Sequence, residues 1–67
     1  MIPHEQEWNG HKYVLYKIYP HTKSNQSEQK GLMFAEKEML EQNNPDIKTY
    51  YTYDPRETTY ALYRRVG

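Results

Sequence analysis

Hydrophobic positions recur along this chain in two rhythms. From Gly31 to Gln42 they follow a helical spacing: Leu32, Met33, Ala35, Met39 and Leu40 fall within an arc of roughly 160°, the width of a helix lying on a sheet. Upstream, Ser27, Glu28, Gln29 and Lys30 have the form of a capping box in which Ser27 accepts from the Lys30 amide, with Ser24 and Asn25 as competing caps. Downstream, Asn43 and Asn44 suit left-handed or turn geometry, and Pro45 disfavours helix at the residue before it. A helix is therefore expected over residues 28–43. Phe34 points away from the apolar arc, as a lone exposed aromatic or as an anchor for a partner. Glu36 points into the arc, and its stem is expected at the sheet margin with the carboxylate reaching water. A buried Glu36 would need tyrosine hydroxyls or one of Lys12, Lys17, Arg64 and Arg65 as partner.

Elsewhere the rhythm is alternation. Residues 12–19, Lys-Tyr-Val-Leu-Tyr-Lys-Ile-Tyr, read as a strand whose core set is Val14, Tyr16 and Ile18, with Tyr13, Leu15, Lys17 and Tyr19 on the other face. Before it, Asn9-Gly10 supplies the two positive-φ positions of a type I′ turn, so a short strand from about His4 to Trp8 is expected to pair back as a hairpin. Residues 47–53 place Ile47, Thr49, Tyr51 and Tyr53 on one face and Lys48, Tyr50 and Thr52 on the other. Asp54-Pro55 begins a tight turn. In residues 58–66, Tyr60, Leu62 and Val66 then face the helix, while Ala61, Tyr63 and Arg65 look outward. Residues 20–29 are too polar to pack and read as a mobile connection.

The expected architecture is α+β, a single domain of residues 1–67 in which one helix packs on a small, mostly antiparallel sheet in the order β(β)αββ. Were the strands before and after the helix neighbours, they would run parallel through a right-handed crossover.

Composition changes this picture in one respect. Nine basic and nine acidic residues cancel, charged residues make up 27% of the chain, and there is no cysteine, but eight of the 67 residues are tyrosine. Aliphatic side chains are too few to build a large core, so tyrosine must carry packing, and the core is expected to be thin unless a partner covers more rings. Without cysteine, disulfides and thiolate metal sites are excluded. The histidines His4, His11 and His21 follow no metal-ligand spacing, although His4 and His11 would face each other across the Asn-Gly turn in a suitable register. No nucleophile elbow, phosphate loop or zinc-protease motif is present, so no catalytic, cofactor or metal residue is assigned and a non-enzymatic protein is expected. With no apolar span or leader pattern, the expected location is cytoplasmic and no membrane partner is assigned.

The candidate contact residues are Tyr13, Tyr19, Tyr50 and Tyr63 with Lys17, Lys48 and Arg65, read as a band on the sheet face away from the helix, and Trp8 and Phe34 as further aromatic surface. Tyr, Trp and Arg are the types enriched in protein interfaces. The leading expectation is a protein-interaction domain acting as a homodimer, through an open sheet edge or the outer face, or in a hetero-complex with a larger protein that it inhibits or adapts. In length, neutrality and lack of cysteine the chain is similar in general style to small accessory proteins of phages and bacteria, a likeness that points to no family. The alternative is single-stranded nucleic acid, with bases stacked on tyrosine and phosphates met by Lys and Arg, although a net charge of zero provides no electrostatic footprint.

Overall fold

Asn9 and Gly10 adopt φ angles of 55° and 80°, the left-handed pair of a type I′ turn, and fold strand β1 (Glu5–Trp8) back on strand β2 (His11–Pro20). Helix α1 (Gln26–Asn43) follows, then strands β3 (Thr49–Asp54) and β4 (Thr59–Arg65). The computed structural model describes residues 2–66; Met1 and Gly67, the ends of the expected domain, lie outside the described residues. The sheet order is β1-β2-β4-β3, and every pairing is antiparallel. β2 and β3 run parallel to each other, but β4 lies between them, so they are not neighbours. The helix carries the chain over β4, whose residues Thr59 to Tyr63 are all buried.

The helix starts earlier than its capping pattern predicts. Asn25, not Ser27, precedes the first turn, and it makes no side-chain cap. Its Oδ1 instead accepts from the Thr22 amide at 2.6 Å and the Thr22 hydroxyl at 3.2 Å, which ties the connection down and leaves residues 26–29 free to form the first helical turn. At the other end, Asn44 is extended, with φ −145° and ψ 94°, because a residue before proline is pushed out of the helical region. The second hairpin turns as its sequence predicts: Asp54 Oδ1 accepts from the amides of Arg56 at 2.9 Å and Glu57 at 3.3 Å. Thr58 closes the loop at φ 45°, a strained position for a β-branched residue.

Strand β2 departs from simple alternation. Leu15 pairs with Tyr63 and Lys17 with Leu62, so Tyr16 is an extra residue, a β-bulge that exchanges the faces of everything after it. Before the bulge, Tyr13 and Leu15 share a face with Tyr63. After it, Lys17 and Tyr19 share the helix-side face with Leu62 and Tyr60. The expected core set of Val14, Tyr16 and Ile18 is therefore corrected: Tyr16 and Ile18 are exposed and Val14 is half-buried, while Tyr13 and Tyr19 are buried on opposite faces.

Two thin cores result, one per face. Under the helix, Met33 packs with Tyr19, Tyr60 and Leu62, and Leu40 leans on them. On the far face, Tyr13, Ala61 and Tyr63 form a second cluster covered by Ile2, Leu15 and Tyr50. The N-terminal segment holds this cover in place: Tyr63 OH donates to the Pro3 carbonyl at 2.8 Å and the Leu15 amide donates to the His4 carbonyl at 2.8 Å. The molecule measures 35 × 25 × 15 Å. A slab that thin cannot sink aliphatics deeply, and large rings packed on both faces of one sheet are how a short, leucine-poor chain excludes water.

Candidate interaction surface

The expected tyrosine band divides once its residues are placed. Tyr13 and Tyr63 are buried in the far-face cluster, and Tyr19 is buried under the helix, so their exposure as a contact band is corrected. The bulge at Tyr16 moved Tyr19, and the folded-back N-terminal segment covered Tyr63. The far face is instead a set of rings packed on one another. Trp8 stacks on Tyr50 at 5.2 Å and 7° between planes, and Tyr13 meets Tyr50 edge-on at 5.0 Å. Tyr50 stacks on Tyr63 at 5.5 Å and donates its hydroxyl to Gln6 Oε1. Burial raises the Tyr50 and Tyr63 hydroxyls above the ordinary phenol pKa, with Tyr13 and Tyr50 respectively adding to the rise. Trp8 alone of this set is half exposed, at 50%; Lys48 is exposed and Arg65 half-buried. Nucleic-acid stacking would have to proceed without the buried faces of Tyr13 and Tyr63.

Lys17 is on the helix side, where its Nζ lies 3.6 Å from Glu36 Oε1 and 5.3 Å from the centre of the Tyr19 ring. Glu36 thus differs from its expected place, since one oxygen meets Lys17 and the other, Oε2, is enclosed without a hydrogen-bond partner, as is Tyr19 OH. Burial, then the Glu36 charge, then Tyr16 push the Tyr19 hydroxyl up to about 12.

The helix leaves apolar side chains uncovered on both flanks. Leu32 and Met39, placed in the buried arc by the wheel, are 50% and 48% exposed, on the flank that Glu36 shows to face β2. On the other flank Phe34 meets Tyr51 of β3 edge-on at 5.1 Å, with Lys30 Nζ 5.9 Å above its ring. Glu41 reaches the same strand, accepting from the Thr49 hydroxyl at 3.0 Å. Tyr51 and Tyr53 stay more than a third exposed, and Tyr53 stacks with His21 at 5.6 Å. His21 Nδ1 lies 2.9 Å from the Thr22 carbonyl and so donates, which leaves Nε2 of the neutral ring to accept from Tyr53 OH at 3.1 Å.

Strand β3 is also an edge of the sheet. The Arg65 amide donates to the Lys48 carbonyl at 2.9 Å, and the register runs without a shift from Thr49 opposite Arg64 to Asp54 opposite Thr59. Because backbone direction alternates along a strand, Lys48, Tyr50, Thr52 and Asp54 aim their amides and carbonyls at β4, whereas Thr49, Tyr51 and Tyr53 aim theirs at the open edge. This alternation was readable in the sequence only as side-chain faces, since nothing there said that β3 would end the sheet.

Other chemistry is sparse. His11 pairs with Trp8 and His4 lies beside Leu15, so the two histidines do not face each other. Among the described residues no three His, Asp or Glu side chains converge to hold a metal ion. An open depression of about 370 Å³ along β1 is lined by Glu5, Gln6, Glu7 and Lys12, with Lys12 Nζ 3.4 Å from Glu5 Oε1. Among the described residues no helix is long and apolar enough to cross a membrane, which says nothing of β-barrels. No family model, curated protein or solved structure matches this chain.

Proposed function

We propose that this chain is a non-enzymatic protein-interaction domain whose contact surface is the β3 edge and the aromatic side chains beside it, not the far-face tyrosines. The observation that carries this reading is the state of the edge. The six residues of β3 contain neither proline nor bulge, aim the backbone groups of Thr49, Tyr51 and Tyr53 at the open edge of the sheet, and carry the exposed rings of Tyr51 and Tyr53 beside that of Phe34. Folded proteins blunt such edges with charge, proline or a covering element, because an open one templates strand addition. Main-chain bonds supply affinity in that mode, and the side chains next to the edge supply selectivity.

Replacing Tyr51 by Pro tests the reading. The Tyr51 amide takes no part in the β3–β4 ladder, so proline costs the fold little at an edge position while removing a donor from the contact. The variant should keep the circular dichroism of the wild type and lose association, whether with itself in sedimentation or with proteins captured from source-cell extract. A variant that associates as the wild type does would place the contact elsewhere, and a wild type that associates with nothing would end the reading.

A further inference from the structure

Resting on the interaction reading above, we infer that two chains pair antiparallel through β3 about a dyad at Tyr51, joining their sheets into one. In this register Thr49 lies opposite Tyr53 of the second copy, and Tyr51 opposite its own equivalent. Every outward-aimed backbone group of the strand then finds a partner, two bonds per facing pair. Sliding the copies so that Thr49 faced Pro55 would lose a donor, since proline has no N–H. Sliding them the other way would bring Tyr53 to Ile47, whose amide already donates to the Asn44 carbonyl at 2.9 Å.

Charge favours the same register. Lys48 immediately precedes β3 and Asp54 ends it, and alternation puts both on one face, so pairing about Tyr51 sets each Lys48 across from Asp54 of the second copy, whose carboxylate also accepts from the Arg56 and Glu57 amides of its own turn. On the helix side, the Phe34 and Tyr51 rings of both copies meet along the seam, which gives these exposed aromatics a common cover. The other edge offers no equivalent. β1 has four residues, of which Glu5 and Glu7 are acidic, so it is short and charged, as blunted edges are.

The dyad makes the inference testable at one residue, because position 51 faces itself. The full chain should sediment with twice the monomer mass at concentrations up to about 1 mM. Tyr51→Lys and Tyr51→Glu should each halve that mass by setting like charges against each other, and an equal mixture of the two should restore it. Circular dichroism confirms that each variant is folded; Tyr51 is 38% exposed, so neither charge is forced into a core. Cysteine scanning provides an independent reading, as the chain has no cysteine of its own. Under oxidation Tyr51→Cys should form a covalent dimer at least about tenfold faster than Thr49→Cys, whose equivalents lie out of disulfide reach across the dyad. A monomeric wild type, charge variants that remain dimeric, or equal crosslinking at the two positions would overturn the inference. A monomer that still captured a foreign protein, and lost it on Tyr51→Pro, would overturn the second copy while leaving the broader interaction reading standing.

Discussion

Tyr19 shows what a single residue costs in a fold this thin. Its ring is wanted under the helix, but among the described residues its hydroxyl is enclosed without a hydrogen-bond partner, as is Oε2 of Glu36, whose charge acts on it. Removing a buried polar atom that makes no bond relieves a desolvation cost, so Tyr19→Phe should leave stability at neutral pH unchanged or raise it by up to about 1 kcal/mol. The sign with pH follows from the raised pKa. The native state holds its proton to about 12 while the unfolded chain releases it near 10.0, so the hydroxyl gives stability no pH dependence below pH 10 and lowers it as pH rises from 10 through 12. Across that window the wild type should lose about 2 to 3 kcal/mol from this one hydroxyl. Denaturant midpoints measured from pH 9 to about 12 should fall for the wild type and fall less for Tyr19→Phe. A loss above about 1 kcal/mol at neutral pH would show that the hydroxyl is bonded after all.

The elements were legible where one signal dominates and obscure where two compete. Asn9-Gly10 and Asp54-Pro55 mark their turns locally, and both hairpins, the helix and its end at Asn43 follow from the chain alone. The bulge at Tyr16 does not, because Lys-Tyr-Val-Leu-Tyr-Lys-Ile-Tyr mixes polar and apolar residues on both faces and a one-residue shift is no worse than none until Tyr13 and Tyr19 are each seen to have a core to enter. The helix wheel was right in its centre and too wide in its arc: Met33 is fully buried and Leu40 packs beside it, whereas Leu32 is half exposed. Met33→Ala should therefore cost about 2 to 4 kcal/mol and Leu32→Ala under about 1, both read from chemical unfolding. Equal losses would mean that the helix is rotated about its axis, with Leu32 as deep as Met33. The contact surface was the least legible part, since residue types alone cannot tell a tyrosine covered by the chain's own N-terminal segment from one left open.

For the whole molecule the governing fact is a 15 Å thickness with rings on both faces of a four-stranded sheet. Packing both faces internally removes most of the tyrosine surface that a partner was expected to cover, and the contact proposed above falls instead on the β3 edge, with the exposed rings of Phe34, Tyr51 and Tyr53 beside it. A domain of this size buries a small fraction of its chain, so added strand pairing would stabilise it as well as connect it. Amide hydrogen exchange at Thr49, Tyr51 and Tyr53 reads such pairing at its own atoms, because these amides aim away from β4 and among the described residues no neighbouring strand lies on that side of β3. At high protein concentration, or with a partner added, contact through the β3 edge should slow their exchange toward that of Tyr50 and Thr52, which bond to β4, and dilution should restore fast exchange at Thr49, Tyr51 and Tyr53 first. Fast exchange at all three under every condition in which the protein associates would contradict it.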